Sequence, residues 1–197
     1  MKRILFTLCC AGLVWPALAQ DQYKEIRGMT NIGGRIPIPT VLTNARKIRE
    51  RFKEAVRSTT ACDKEYDYQL YCAQSMTPET TIEVKNPRTG VVTTYKALPY
   101  FNRLRQLFCI QNVYDSAVYN FTNLPLTDDS VRVNSRNDYL VRVGVNQTFR
   151  GYDAHKKLVY GDMTIKIIEI NFVKYNKNYF EAKIEKVIAV SADLLKE

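Results

Sequence analysis

The carboxyl-terminal part of the chain alternates between apolar and polar residues, and this pattern constrains the fold more than any other feature. A period of two is typical of β-strands that bury one face and expose the other. Three such segments follow one another, separated by polar turns at residues 153–157 and 175–178. The residues predicted to face the core are Tyr139, Val141, Val143 and Val145, then Val159, Met163, Ile165 and Ile167, then Phe180, Ala182, Ile184 and Ile188. The sequence therefore predicts an antiparallel meander with one buried face.

Two of these segments contain an irregularity. In the second segment the apolar phase slips at Ile167–Ile168, and in the third Lys186 interrupts it. An extra residue in one strand forms a β-bulge, which bends the strand and shifts its phase. We therefore predict a bulge in each segment. In this interpretation the residues of the second segment that face away from the core are Tyr160, Asp162, Thr164 and Lys166.

Helical and hairpin patterns precede the meander. Residues 40–57 carry apolar side chains at three- and four-residue steps, which is typical of an amphipathic helix. Residues 63–73 are consistent with a short helix or an irregular turn. The β-rich segments 80–84 and 91–95 flank a turn that contains Pro87 and Gly90, as in a hairpin. Pro99 suits the first turn of a second apolar helix, and residues 113–122 are consistent with a strand.

Each helical stripe must be buried against another apolar surface, and the meander provides one. The sequence therefore predicts an α+β fold, in which a curved antiparallel sheet wraps around the N-terminal and central helices. Residues 40–197 are expected to form one domain. Residues 20–39, with several glycines and prolines, are expected to be an irregular lead-in.

The amino terminus has the pattern of a secretory signal. Lys2 and Arg3 precede an apolar run, and Ala17-Leu18-Ala19 places small residues before a cleavage site at Gln20. The run is shorter than the roughly twenty residues that a membrane-spanning helix needs. A lipoprotein that uses Cys9 or Cys10 is the alternative. We expect residues 1–19 to be removed, and the mature protein to be periplasmic or extracellular and to have no transmembrane span.

The chain carries a formal net charge of +9, which becomes +7 when Lys2 and Arg3 leave with the signal. In an exported protein this charge favours anionic envelope surfaces, acidic glycans or an acidic protein as partners, or simply aids solubility. We expect no nucleic-acid partner.

Cys62, Cys72 and Cys109 remain after the signal. In an oxidising compartment Cys62 and Cys72 are natural disulfide partners, because they would close a short loop. Cys109 lies in an apolar helical stretch and is expected to be a buried free thiol. A bond from Cys109 to either of the other two, or to another chain, stays open.

The order of elements resembles that of the nuclear transport factor 2-like superfamily of cone-shaped α+β folds. The resemblance covers about residues 40–190, and segments 95–104, 148–152 and 157–162 look like those of exported members from Bacteroidetes-type bacteria. It implies a fold shared by isomerases, dehydratases, ligand carriers and dimerisation modules. Its enzymes use Asp, His or Tyr inside the cone as general acid or base.

The sequence contains no recognisable catalytic, metal-binding or cofactor-binding constellation. His155, the single histidine, lies in a predicted turn, and the cysteine spacing does not suit zinc. The predicted core positions of the meander contain no Asp or Glu. The residues predicted to line a ligand cavity are Tyr95, Tyr100, Phe101, Phe108 and Tyr139.

The first hypothesis is therefore an exported, non-catalytic domain of the bacterial envelope that binds a small ligand or a protein partner. Binding would use the open end of the cone or the outer sheet face, and a homodimer through that face is the simplest form. One alternative is an isomerase or dehydratase whose acid–base residue lies on a strand with the opposite phase. A structural component of an envelope assembly is the other alternative.

Overall fold

The computed structural model describes residues 36–62, 67–126, 130–133, 138–176 and 179–195. The predicted signal and most of the lead-in lie outside these residues. The elements are α1 (Ile38–Ser58), α2 (Asp67–Ser75), β1 (Met76–Lys85), β2 (Val92–Lys96), α3 (Ala97–Arg105), β3 (Ser116–Asn123), β4 (Val131–Val133), β5 (Tyr139–Tyr152), β6 (Leu158–Asn176) and β7 (Tyr179–Leu194). A π-helical turn, Gln106–Ile110, continues α3. Within the described residues, no helix combines the length and the apolar character that crossing a membrane requires.

Helix α1 is the amphipathic helix that the sequence predicts. It begins after Pro37, whose carbonyl accepts hydrogen bonds from the N–H groups of Thr40 and Val41. The buried residues of its apolar stripe include Val41, Ala45, Ile48, Phe52, Ala55 and Val56. This stripe contacts β5 and β7, so the helix buries its apolar side against the sheet. The predicted α+β fold class, with a curved sheet over helices, is confirmed.

The described strands form one sheet in the order β2-β1-β7-β6-β5-β3, and β4 pairs with the first residues of β5. The hairpin β1–β2 and the meander β5–β6–β7 are antiparallel, as predicted. One pairing differs from the prediction, because β1 runs parallel to β7. The meander begins far along the chain from β1, so no tight turn links this pair, and the connection between them contains α3 and the other strands.

Strands β5 and β7 have the predicted faces. Tyr139, Val141, Val143 and Val145 are buried on β5, as are Phe180, Ala182 and Ile184 on β7. Ile184 and Lys186 of β7 pair with the adjacent residues Ile170 and Glu169 of β6, so Glu185 is an extra residue. This confirms the bulge predicted in β7. A second extra residue, Val190, lies nearer its end. Val187 and Ala189 therefore face inward after the first bulge, instead of the predicted Ile188.

The predicted phase of β6 is wrong. Strand β6 pairs with β5 in unbroken register from Tyr160 to Phe172, so there is no bulge at Ile167–Ile168. Ile168, Ile170 and Phe172 are buried, and strict alternation places the preceding even-numbered residues on the same inner face. Met163, Ile165 and Ile167 lie on the outer face, where they are partly buried. The phase of β6 was not evident from its sequence because both faces carry apolar residues. Contact with the core determines which face lies inside.

The predicted disulfide is also wrong. Cys62 bonds to Cys109, with a Cα–Cα distance of 5.4 Å, and Cys72 is a buried free thiol. Cys62 follows the end of α1 and Cys109 lies in the π-helical turn, so their proximity depends on how these distant segments pack. Cys72 faces the core from α2, where burial raises the pKa of its thiol to about 12.

Candidate binding site on the inner sheet face

The inner face of β6 has two parts of different character. The apolar half consists of Ile168, Ile170 and Phe172, which are 0–1% exposed. The polar half consists of Tyr160, Asp162, Thr164 and Lys166, the residues that sequence reasoning placed outside. Because polar groups are expensive to bury unless they are hydrogen-bonded, a row of them on an inner sheet face is unusual in a purely structural core. The polar half is therefore the candidate functional site.

Asp162 is the carboxylate of the polar half. It is partly buried, and the Tyr160 hydroxyl donates a hydrogen bond of 2.8 Å to its Oδ2 atom. Burial raises the pKa of Asp162, whereas the Tyr160 hydrogen bond, the Lys166 charge and the Thr164 hydroxyl oppose that rise. The side chain can therefore bind or transfer a proton more readily than a fully solvated Asp.

The Asp162 charge acts on four tyrosines, of which Tyr160 contacts the carboxylate directly. Burial raises the pKa of Tyr100, Tyr114, Tyr119 and Tyr160, and the negative charge of Asp162 adds to the rise in each case. Their phenols therefore stay neutral at physiological pH, and each can both donate and accept a hydrogen bond. Apart from the Lys166 cation, the polar groups that act on Asp162 are therefore uncharged.

The aromatic rings near Asp162 form a cluster around Phe149, its cross-strand neighbour. Ring centroids of Tyr119, Tyr114 and Tyr160 lie 4.9, 5.5 and 6.0 Å from that of Phe149. The Tyr114 ring lies directly over Gly151, where an added Cβ would come within 2.4 Å of it. A glycine is required at this position so that Tyr114 can approach the sheet.

Lys166 is 2% exposed and is the cation of the polar half. Its Nζ atom donates a 3.4 Å hydrogen bond to the Glu83 carbonyl and lies 5.9 Å from the centre of the Tyr100 ring. Burial lowers its pKa to about 8, although the charges of Asp162 and Glu83 act in the opposite direction. A substantial neutral fraction at mildly alkaline pH makes this amine a possible base.

Gln147 extends the polar half onto β5, opposite Thr164. It is 6% exposed, and its Oε1 atom is buried without a hydrogen-bond partner among the described residues. An acceptor of this kind costs free energy unless a donor reaches it. The inner face therefore combines a carboxylate, an ammonium and an unpaired amide oxygen.

An open cleft of about 660 Å³ lies beside the polar half, between the β1–β2 hairpin and Tyr160. The lining residues are Val84, Lys85, Asn86, Pro87, Arg88, Thr89, Val91, Thr93, Tyr95 and Tyr160. Tyr160 belongs to both features, since its ring lines the cleft and its hydroxyl binds Asp162. A molecule in the cleft would contact the ring that positions this hydroxyl.

The five residues predicted to line a cavity occupy different environments. Tyr95 lines the cleft, and the buried Tyr100 ring lies beside Lys166. Phe108 belongs to the Phe149 cluster, at 5.6 Å between centroids. Phe101 is fully buried against Phe52 and Tyr68. Tyr139 is 2% exposed; its hydroxyl accepts a hydrogen bond from the Ile36 N–H and donates one to the Ile36 carbonyl.

Sequence reasoning missed Asp162, Lys166 and Tyr160 because the β6 phase was inverted. Gln147 was missed although it continues the inward phase of β5 beyond Val145, which was the available signal. For β6 the apolar residues change from odd to even positions at Ile167–Ile168, so local alternation did not identify the inner face. His155 is exposed in the turn between β5 and β6, as predicted.

Comparisons with known proteins give matches to solved structures at low sequence identity. No model of a known protein family matches the chain, and no curated protein is significantly similar to it. Among solved structures, a hexachlorocyclohexane dehydrochlorinase (LinA) of type 2 is 14% identical, with a TM-score of 0.46, over 79% of this chain and 90% of that chain. The Kfla4162 protein from Kribbella flavida is also 14% identical, with a TM-score of 0.44, over 77% of this chain and 93% of that chain.

Proposed function

We propose that this protein is an exported domain that binds a small molecule at the polar half of its inner sheet face and the adjoining cleft. The observation that carries the proposal is the hydrogen-bonded Tyr160–Asp162 pair, partly buried among tyrosines and continuous with the cleft. Ligand sites typically combine aromatic walls with a few polar groups that fix the orientation of the ligand. Tyr95 and Tyr160 supply such walls, and Asp162 supplies such a group.

The energetic cost of the polar half supports this function. Within the part of the chain that the structure describes, the buried Lys166 makes one long hydrogen bond, to the Glu83 carbonyl, although an ammonium group has three donors. The Gln147 Oε1 atom is likewise buried without a partner among the described residues. A packed core gains nothing from such groups, whereas a ligand with matching donors and acceptors would satisfy them.

Binding can be tested with a library of small metabolites, using the thermal shift as a screen and calorimetry for the affinity. For a molecule that binds, Asp162→Asn should weaken binding by about tenfold, because one charged hydrogen-bond partner is lost. Asp193→Asn is the matched control, since Asp193 is exposed on β7. Equal affinities in the wild type and Asp162→Asn would contradict the proposal.

Export is part of the proposal. A disulfide between Cys62 and Cys109 supports it, because such bonds persist in oxidising compartments. Fractionation of cells that express the full chain, followed by mass spectrometry of its mature amino terminus, tests this point. The expected product begins at Gln20 and lies outside the cytosol, whereas an uncleaved cytosolic chain would contradict it.

An acid–base enzyme is the second candidate, and the raised pKa of Asp162 is the observation that favours it. Such a carboxyl could take a proton from a bound substrate and return it elsewhere, which is the chemistry of an isomerase or a dehydratase. Exchange of ligand protons for deuterium, followed by NMR, would detect this chemistry. Exchange catalysed by the wild type and lost in Asp162→Asn supports an enzyme, whereas binding without exchange supports the first candidate.

The outer sheet face supports a homodimer. A row of alternating charges crosses four strands, and the members of this charge row are Arg142, Glu169, Lys186 and Glu83. Within it, Arg142 and Glu169 are 2.6 Å apart, and Lys186 and Glu83 are 2.7 Å apart. A two-fold axis along the strands would place each charge opposite one of the other sign, because the row reads the same after reversal and exchange of signs.

Apolar residues next to the charge row would supply contact area. Ile167 and Ile188 are cross-strand partners on the outer face, and Val190 is 51% exposed. We expect Ile167→Lys to shift the protein to a monomer in analytical ultracentrifugation. Lys157→Glu, in the exposed turn before β6, is the control. A monomeric wild type at all concentrations would contradict the dimer.

A further inference from the structure

We infer that the ligand of the cleft is a small organic acid that carries a flat ring. This inference rests on the proposed function and names the chemical class of its ligand. It depends on which charges line the cleft, on how the rings are placed and on the rigidity of the hairpin turn.

The charge of the cleft favours an anion. Among the described lining residues, the charged ones are Lys85 and Arg88, and both are cationic. The Arg103 guanidinium lies 5.7 Å from the centre of the Tyr95 ring and adds a third positive charge beside the cleft. Lys85 alternates with Val84 on β1 and shares the outer face with Glu83, where its Nζ atom donates a 3.2 Å hydrogen bond to the Val190 carbonyl. Arg88 is therefore the charged lining residue on the side of Tyr160, and its positive charge acts on the Tyr160 phenol. A guanidinium suits a carboxylate.

The rings of the cleft favour a flat ligand. Tyr95 and Tyr160 are both partly buried and line the cleft from opposite elements, the hairpin and β6. Aromatic side chains bind planar rings and sugar faces through a large contact area, with little loss of conformational freedom. A ring between these tyrosines would also lie near the Tyr160 hydroxyl.

The turn that carries Arg88 is held in one conformation. The Asn86 side-chain oxygen accepts hydrogen bonds from the N–H groups of Arg88 and Thr89, at 2.8 and 3.1 Å. The Gly90 N–H donates a 2.8 Å hydrogen bond to the Asn86 carbonyl, and Gly90 has a positive φ of 72°. A preorganised turn reduces the entropy that binding must overcome.

Asp162 sets the direction of the ligand. A carboxylate at the inner end would be repelled by Asp162, which lies behind Tyr160. The acid group therefore points to Arg88 on the hairpin. A hydroxyl or another donor at the opposite end of the ring would meet the Tyr160–Asp162 pair.

The experiment compares acids with neutral analogues of the same shape on the wild-type protein. The probes are benzoate with benzamide, and nicotinate with nicotinamide, titrated at low and physiological ionic strength and followed by NMR. At least one acid should bind about tenfold more tightly than its neutral analogue. Added salt should weaken that binding, because the interacting charges are largely exposed to solvent.

Variants of the hairpin assign the charge to its source. Arg88→Gln should weaken binding of the acid by about three- to tenfold and leave the neutral analogue unchanged, whereas Lys85→Gln, on the outer face, should leave both unchanged. The matched control is Arg132→Gln, which removes an exposed arginine on β4, away from the cleft. All three changes lie on exposed or partly exposed side chains, so the fold should be retained.

The anion assignment is overturned if acids and neutral analogues bind equally, if Arg88→Gln leaves the acid affinity unchanged, or if no acid shows saturable binding. The proposed function is tested separately by the effect of Asp162→Asn on a molecule from the metabolite library. A neutral metabolite that loses affinity in Asp162→Asn would refute the acid class while supporting the site.

Discussion

The two halves of the inner face of β6 differ in what they contribute to the protein. The apolar half packs under α1 and belongs to the core, where Ile168 and Ile170 are fully buried. The polar half lies under tyrosines and carries Asp162 and Lys166. Burial raises the pKa of Asp162 and lowers that of Lys166, which favours the neutral form of each. One strand with an unbroken register thus serves both stability and a candidate site. The comparison shows that a residue of the inner face need not be a residue of the core.

The largest expected effect concerns the disulfide, which joins the helix over the apolar half to the segment beside the polar half. The Cys62–Cys109 disulfide joins the end of α1 to the π-helical turn that carries Phe108. Replacing both cysteines by serine should lower the free energy of unfolding by about 4 kcal/mol, because the bond closes a loop with a sequence separation of 47. Denaturant unfolding without reductant measures the loss.

Cys109→Ser alone serves as the critical comparison for this disulfide. It should lower the stability nearly as much as the double replacement. A negligible loss would return the pairing to Cys62 and Cys72.

Truncation in the apolar half has the next largest expected effect. Ile170→Ala should lower the free energy of unfolding by about 3 kcal/mol, because it removes buried methyl groups and leaves a cavity. Thr164→Val keeps the shape of a residue in the polar half and should change stability by about 1 kcal/mol or less. Urea unfolding measures the loss of stability in each variant. Equal losses would contradict the expected difference between the two halves.

Lys166→Met, unlike the preceding variants, should raise the free energy of unfolding. The folded-state pKa of Lys166 is about 8, below the ordinary 10.5, so the unfolded chain binds more protons between these values. Wild-type stability should therefore rise as the pH increases from about 8 to 10.5, and the variant should lack this rise. At pH values below this range, the variant should be about 2 kcal/mol more stable, because it buries no charge.

The exposed Lys157→Met is the control for this experiment. It should leave the pH dependence of unfolding as it is in the wild type. A destabilised Lys166→Met with an unchanged pH profile would show that the ammonium group is well satisfied in the folded protein.

The smallest effect is expected for Tyr160→Phe. Loss of the hydroxyl that binds Asp162 should lower stability by about 1 kcal/mol where the carboxylate is ionised. The loss should shrink as the pH falls through the folded-state pKa of Asp162, since the hydrogen bond favours the ionised form. Tyr152→Phe removes the hydroxyl of another tyrosine, on neighbouring β5, and should show no such pH dependence.

The two wrong predictions of strand phase and disulfide pairing have a common physical origin. Residues 159–167 offer apolar side chains at odd positions, and Ile168 and Ile170 offer them at even positions, so local periodicity supports two phases. The core resolves this ambiguity, because the large residues that contact α1 fix the register of the whole strand. The Cys62–Cys109 bond likewise depends on packing between segments that are distant in sequence.

Local chemistry was sufficient elsewhere. The stripe of α1, the turn at Asn86–Gly90, the inner face of β5 and the bulge in β7 each arise from neighbouring residues, and the structure confirms them. The parallel pairing of β1 with β7 could not be predicted in this way, since its partners are separated by most of the domain.

The amino-acid order alone specifies which segments of this protein form helices, hairpins and strands, because propensity and periodicity act over a few residues. Tertiary packing alone decides which face of β6 turns inward, and with it the burial of Asp162 and Lys166. The physical reason is that a strand alternates strictly, so the side that buries the most apolar surface at one end also buries the polar residues at the other.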